Sequence, residues 1–182
     1  MSTKYKIRDQ EKLYFVSFAV VDWIDVFIRN EYKDIVIDSL SYCQKNKGLE
    51  IYAWCIMTSH VHLIIGTHGK NMEDILRDFK SFTSRSLKIA IQENPVESRK
   101  EWMLSMMEDA GTKNSNNNDF QFWQQDNHPI ELWDNYMMEQ KLEYIHMNPV
   151  AAGFVSSPED YVYSSARDYA GEKGLLEIIL IE

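Results

Sequence analysis

Cysteine is scarce in this chain, and its two copies, Cys43 and Cys55, form no CxxC pattern. We therefore interpret both as small core residues of a reduced, cytoplasmic protein. Long apolar runs are also missing, since none approaches the roughly 18 residues that are typical of a membrane span. The apolar run at 13–21 comes late and is followed by Asp22 and Asp25. We expect neither a signal peptide nor a membrane partner.

Basic residues are too few to balance the acidic ones, and the formal net charge is −9. Such a balance argues against a nucleic-acid partner. The charge is unevenly distributed, however, because residues 131–182 hold 3 Lys/Arg and 10 Asp/Glu, while residues 1–130 are nearly neutral. The acidity belongs mainly to the C-terminal third. It disfavours tight non-specific DNA binding, but it does not exclude a local DNA site elsewhere in the chain.

Hydrophobic residues, in contrast, make up 45% of the chain and aromatic residues 13%, which indicates an ordered globular protein. A length of 182 residues is enough for one domain with a substantial core. We predict a single domain over 1–182, with its core at about 10–155, a mobile polar loop at 111–119 and a C-terminal tail at 156–182.

The apolar patterns and the cap residues predict an alternation of strands and helices. Strands are predicted at 12–21, 49–57, 60–66 and 120–125, and helices at 30–45, 71–92, 98–108 and 129–147. Gly48 is expected to end the first helix, Pro129 to open the last one and Asn148-Pro149 to end it. The order predicts an α+β ferredoxin-like sandwich, with an antiparallel sheet, helices on one face and the other face available for chemistry.

The segment at 60–66 carries a His-x-His pair, His60 and His62. Side chains alternate along a strand, so both imidazoles share one face, about 7 Å apart, and can bind one divalent metal ion. The alternative is an ordinary polar strand face.

The last predicted helix carries Tyr136, Gln140 and Tyr144 at spacings of i, i+4 and i+8, hence on one face. A tyrosine near a metal-polarised phosphate can act as a nucleophile, here Tyr136. Gln140 would add an oxygen ligand to Mg²⁺ or Mn²⁺. The alternative is that both tyrosines only pack against the sheet.

The helix at 71–92 carries basic and hydroxyl side chains that could bind phosphate oxygens of DNA: Arg77, Lys80, Thr83, Ser84, Arg85 and Lys88. The alternative is a solvated face whose cations pair with nearby carboxylates. His128, just before Pro129, is a candidate metal or phosphate ligand or general acid; it could equally cap the helix. We interpret His146 as structural.

Five segments then resemble one known family in the correct order. They are 57–64 (MTSHVHLI), 79–84 (FKSFTS), 123–124 (WQ), 144–153 (YIHMNPVAAG) and 161–169 (YVYSSARDY). They resemble the REP-associated tyrosine transposases, which are HUH-type transposases of single-stranded DNA.

This resemblance implies a ferredoxin-like core in which His60 and His62 hold Mg²⁺ or Mn²⁺ against a scissile phosphate. A tyrosine on a helix would attack that phosphate, leaving a 5′-phosphotyrosine link and a free 3′-hydroxyl. The implied partners are single-stranded and hairpin DNA. The family resemblance leaves open whether the tyrosine acts within its own subunit or across a homodimer.

The position of the nucleophile departs from the REP-associated pattern, in which the tyrosine follows the Trp-Gln pair. That position falls at or near His128, and no tyrosine lies between Trp123 and Trp133. The insertion-sequence branch has a tyrosine followed four residues later by a metal-binding glutamine, and Tyr136 with Gln140 fits that spacing. The alternatives are a catalytically degenerate, domesticated protein that binds DNA hairpins and an unrelated metal-dependent hydrolase.

Overall fold

The computed structural model describes residues 7, 9–114, 119–125 and 127–181. The strands are β1 (Leu13–Ala19), β2 (Leu49–Ile56), β3 (His60–Thr67) and β4 (Ile130–Leu132). The α-helices are α1 (Asn30–Lys47), α2 (Met72–Glu93), α3 (Lys100–Thr112), α4 (Asn135–Ala151) and α5 (Ala166–Tyr169), and short 3₁₀ turns lie at Val21–Trp23, Val26–Ile28 and Pro158–Asp160. Within this part of the chain, no helix combines the length and apolar character needed to cross a membrane.

The strands form one antiparallel sheet in the order β2-β3-β1-β4. In the central pair, Ser17 of β1 lies opposite His62 of β3, and Phe15 lies opposite Ile64. At the edge, Ile130 of β4 lies opposite Phe15. The predicted fold class, an α+β ferredoxin-like sandwich built on an antiparallel sheet, is confirmed.

One face of the sheet is covered by α1 and α2. Val16 and Phe18 of β1 and Leu63 of β3 join Leu40 of α1 and Phe79 of α2 in the larger core. Because strand side chains alternate, the residues between them, including Ser17 and His62, point to the other face. The alternating side chains of β1 and β3 therefore place the main core on one face of the sheet and the histidine pair on the other.

The ends of the helices on this face follow local chemistry. The side chain of Asn71 accepts hydrogen bonds from the backbone N–H groups of Glu73 and Asp74, at 2.9 and 3.3 Å, and so caps α2. Gly48 ends α1, as predicted, in a left-handed conformation with φ of 72°. A Cβ atom at this position would collide with the backbone oxygen of His68, so the close approach also requires glycine.

The helix α4 crosses the second face of the sheet. Its buried Ile145 packs with Phe15, Cys55 and Ile64 in a smaller apolar cluster. Asp134 caps the helix, because its carboxylate accepts the backbone N–H of Met137 at 2.7 Å. This second layer brings α4 beside the histidines of β3.

The region before α4 differs from the prediction. The segment at 120–125 does not form the fourth strand; Trp123 makes only an isolated bridge with Val20. The fourth strand is β4, where the sequence predicts the first turn of a helix. The prediction treated Pro129 as the residue that opens the helix. Pro129 instead precedes an edge strand, where the missing N–H of proline is tolerated.

The predicted end of the last helix is also wrong, because α4 continues through Pro149 to Ala151. Proline here removes a backbone donor only from the final turn, and the helix ends two residues later. The predicted loop at 111–119 begins too early, since α3 runs to Thr112. Residues 115–118 of that loop lie outside the described residues.

The acidic C-terminal tail packs along β2. The hydroxyl of Tyr161 donates to the backbone oxygen of Ile56 at 2.8 Å, and that of Tyr169 donates to the backbone oxygen of Tyr52 at 2.9 Å. Further along, the backbone N–H of Ile179 donates to Ile51 at 2.9 Å. These contacts hold the tail at the β2 edge of the sheet, opposite the edge formed by β4.

Candidate active site

The two histidines of β3 lie side by side on the face that α4 crosses. Their ring centroids are 4.6 Å apart and their planes are inclined by 69°. His60 is partly exposed, whereas His62 is only 6% exposed. Solvent therefore reaches the pair at His60, whereas His62 is covered by the protein.

His62 is held in a defined orientation by β1. Its Nδ1 lies 2.7 Å from Oγ of Ser17, directly across the β1–β3 ladder, and its ring stacks on Phe15 at 5.5 Å. Its Nε2 is buried without a hydrogen-bond partner. If Nδ1–H donates to Ser17, Nε2 carries the free lone pair that a metal ligand needs.

Both imidazoles are held in the neutral form that metal binding requires. Burial, with smaller contributions from the nearby His60 and Lys141, lowers the pKa of His62 to about 3. Burial also lowers the pKa of His60, and a hydrogen bond to the side chain of Asn148 opposes this by raising it. The Nδ1 of His60 lies 3.2 Å from Oγ of Ser59.

Two residues of α4 border the histidine pair. The ring of Tyr144 meets the ring of His62 edge to face at 5.2 Å, and 48% of Tyr144 is exposed. Asn148, one turn later, contacts His60 and donates from Nδ2 to the backbone oxygen of Tyr144 at 3.2 Å. Lys141 places its ammonium 5.6 Å from the centre of the Tyr144 ring. Phenol, amide and ammonium thus converge on the imidazoles.

Tyr136 and Gln140, in contrast, lie towards the beginning of α4. Tyr136 is 71% exposed and Gln140 is also exposed. At a rise of about 1.5 Å per residue, Tyr136 is about 12 Å from Tyr144 along the helix axis, and Gln140 is about 6 Å from it. The structure brings Tyr144 to the histidine pair and leaves Tyr136 two turns away.

His128 lies beyond β1, at the β4 edge of the sheet. The preceding residue, Asn127, accepts the backbone N–H of Ser17 at 3.2 Å, and His128 itself has a left-handed φ of 41°. The segment is thus two strand positions from His62, or about 10 Å.

The predicted DNA-binding residues of α2 lie on the opposite layer of the sandwich. Arg77 pairs with Asp74 and Asp78, and Lys88 lies 3.9 Å from Glu108. The remaining members differ in exposure: Lys80 and Ser84 are partly buried, Arg85 is exposed, and Thr83 is fully buried.

Thr83 and Lys80 both have contacts within the protein. Oγ1 of Thr83 accepts the indole N–H of Trp123 at 2.9 Å. The ammonium of Lys80 donates to the backbone oxygen of Gln124 and to Oδ1 of Asn127, both at 2.8 Å. These contacts tie the segment after α3 to α2, and they connect α2 with the edge that carries His128.

The residues that sequence reasoning missed are Ser17, Lys141 and Asn148. Asn148 had a usable signal, because it follows Tyr144 by four residues, the same spacing as Tyr136 and Gln140. Ser17 had none, since its role depends on the pairing register of β1 and β3. Among the residues that the structure describes, no group of three or more His, Cys, Asp or Glu could hold a metal ion.

Comparison with known proteins finds a family model that is similar to the histidine-bearing segment. Residues 22–110 match the family model of IS200-like transposases. The matched stretch is similar to that family and makes up just under half of the chain. The matched stretch contains the histidine pair, α1 and α2, and it ends before α4. The match confirms the resemblance to transposases that the motifs indicated.

A solved structure shows the same fold over a longer range. A REP-associated tyrosine transposase bound to a REP hairpin covers 98% of this chain and 92% of its own, with a TM-score of 0.66 and 16% identity. At that identity the likeness shows a shared fold. A protein assigned as a transposase from Deinococcus radiodurans covers 79% of this chain and 95% of its own, at 18% identity and a TM-score of 0.45. No curated protein matches this chain.

Proposed function

We propose that this protein is a DNA-binding transposase that cleaves and joins single-stranded, hairpin-forming DNA in a metal-dependent reaction. The observation that carries the proposal is the pair of neutral imidazoles of His60 and His62 in a segment that is similar to the IS200-like family. The hairpin enters as the substrate class because a protein of the same fold is bound to a REP hairpin.

His60 and His62 would hold the cation, Mg²⁺ or Mn²⁺. Two observations support a cation at this position. The Nε2 of His62 has no hydrogen-bond partner, and burial keeps both rings neutral. Such a cation would neutralise charge on the non-bridging oxygens of the scissile phosphate. For the third ligand we favour the side-chain oxygen of Asn148, which contacts His60, over Gln140.

For the nucleophile we favour Tyr144 over Tyr136, because Tyr144 is the tyrosine in contact with His62. The phenol oxygen would bond to phosphorus and lose its proton to solvent. The bond from phosphorus to O3′ would break, and O3′ would leave as a 3′-hydroxyl after taking up a proton. The product is a 5′-phosphotyrosine that a second 3′-hydroxyl can resolve in strand transfer.

The other predicted site residues enter this proposal in supporting roles. His128, at the sheet edge, would contact a phosphate flanking the cleaved one. The residues of α2 would contact the hairpin backbone through their exposed members, above all Arg85. These roles predict that substitution there weakens binding to hairpins of any sequence to a similar degree.

One observation favours a second function, that of a hairpin-binding protein without strand cleavage. The ligand nitrogen of His62 is covered in this conformation, with Phe15 and Tyr144 against its ring. A site that stays closed would bind DNA without binding metal. The two functions differ in whether a covalent protein–DNA adduct forms.

The experiment mixes the protein with labelled hairpin oligonucleotides and Mn²⁺ and tests for a denaturation-resistant adduct. We expect the adduct in wild type and in Tyr136→Phe, and its loss in Tyr144→Phe with hairpin binding retained. Loss in Tyr136→Phe alone would assign that residue instead. Hairpin binding without an adduct, at saturating Mn²⁺, would establish the binding-only function.

A further inference from the structure

Trp23 lies beside the histidine pair without contributing to the core. The residue is 60% exposed, and its ring meets that of His60 edge to face at 5.5 Å. Tyr144 contacts His62 at the other end of the pair. The rings of Trp23, His60, His62 and Tyr144 thus form a row, with a large exposed aromatic at each end.

The backbone that presents Trp23 is strained. Asp22 and Trp23 have φ values of 52° and 55°, two consecutive left-handed residues of which neither is glycine. L-residues with side chains rarely adopt this region, and such strain persists only where the surroundings enforce it. Burial of the indole does not account for this strained backbone, because the side chain of Trp23 is exposed.

The surroundings of this turn are fixed on both sides. Before it, the backbone N–H of Val20 donates to Ser59 and that of Val21 donates to Phe122, both at 2.8 Å. After it, the side chain of Ile24 is buried in the main core. The turn is anchored to the β2–β3 connection that carries Ser59, so Trp23 has a fixed position relative to His60.

An exposed aromatic ring next to a phosphodiester site is suited to stack with an unpaired nucleobase, and such stacking tolerates any sequence. We propose that Trp23 stacks with the base adjoining the phosphate that lies at the His60–His62 pair, on the side of the pair away from Tyr144. The occupant is single-stranded DNA, since a base inside a duplex has both faces covered by its stacked neighbours. This inference rests on the proposed function and specifies where the strand lies.

The test is equilibrium binding of a hairpin oligonucleotide with a single-stranded flank, in EDTA so that no cleavage occurs. An abasic site is placed at each flank position in turn. We expect Trp23→Ala to weaken binding by about 5- to 150-fold, the range for one base stack. We expect Trp23→Phe to retain most of the affinity.

The deciding readout is the coupling between the protein and DNA changes. At one flank position, the abasic site should weaken binding to wild type and have little further effect on Trp23→Ala. Trp102→Ala is the matched control, because Trp102 is 51% exposed but lies on α3. Thermal unfolding of each variant verifies folding.

Two negative results are distinguishable. If wild type binds the hairpin and the abasic penalties are the same in Trp23→Ala at every position, this inference is overturned while the proposed function stands. If wild type binds the hairpin neither in EDTA nor in Mn²⁺, both the inference and the proposed function are overturned. A loss of affinity in Trp23→Ala that is independent of the flanking bases would also contradict stacking.

Discussion

Replacing Ser17 with alanine tests whether His62 is held ready as a neutral metal ligand. Oγ of Ser17 lies 2.7 Å from Nδ1 of His62, whose side chain is 6% exposed, so water cannot readily replace the lost partner. Losing the hydrogen-bond partner of a ligating histidine typically costs about 10- to 100-fold in metal affinity. We therefore expect Ser17→Ala to weaken Mn²⁺ binding by that factor, or about 1.4–2.7 kcal/mol.

Ser59→Ala is the matched control. Oγ of Ser59 lies 3.2 Å from Nδ1 of His60, a longer contact to a more exposed ring. Solvent can take over this hydrogen bond, so its net loss should be about 1 kcal/mol or less, corresponding to a decrease of at most about fivefold. The two variants remove the same chemical group from equivalent ring nitrogens and differ mainly in burial.

The assay is titration of DNA-free protein with Mn²⁺, followed by the electron paramagnetic resonance of the free ion. Thermal unfolding accompanies it, because a buried nitrogen without a partner costs about 1–3 kcal/mol. A melting temperature lowered by about 2–4 °C for each kcal/mol is thus expected for Ser17→Ala. Equal Mn²⁺ affinity in wild type and Ser17→Ala, or a larger loss in Ser59→Ala, would refute the reasoning.

The remaining predictions concern stability. Burial lowers the pKa of His146 to about 4, so its contribution is present above the unfolded value of about 6.5 and is lost as pH falls towards 4. In urea unfolding, wild type should lose about 2 kcal/mol more stability between pH 7 and pH 5 than His146→Gln does; equal losses would contradict the assignment. Thr83→Val should remove the acceptor of the Trp123 indole and cost about 1–3 kcal/mol, with hairpin affinity of the folded protein unchanged. A change in affinity without a change in unfolding would instead support the DNA-binding role of Thr83.

The long elements of this fold were predictable because their patterns are strong. The apolar runs of β1, β2 and β3 and the capped, periodic α2 are recognisable from the sequence, and Gly48 ends α1 as its conformational freedom predicts. The strand β4 was not predictable in the same way. It has three residues, lies at the sheet edge and is formed by its pairing with β1 rather than by any local preference.

Trp123 shows a different limit of sequence reasoning. Its alternation with neighbouring aromatic residues indicates a strand, yet its ring packs among Phe18, Phe27 and Phe79 and its indole N–H bonds to Thr83. These contacts come from elements that are 40 or more residues away along the chain. A local pattern cannot distinguish a strand from an irregular segment whose side chains fill a core formed elsewhere.

The choice between the two tyrosines depends on packing for the same reason. The i, i+4 spacing of a tyrosine and an amide occurs twice in α4, at Tyr136–Gln140 and at Tyr144–Asn148. Helical periodicity tells which residues share a face, but not which turn of the helix lies over the histidines. The burial of Ile145 determines which turn lies over the histidines, because Ile145 packs the second half of α4 against β3. If the adduct instead requires Tyr136, α4 must shift by about two turns, or the tyrosine must come from a second subunit, and mixing Tyr136→Phe with His62→Ala protein would then restore activity.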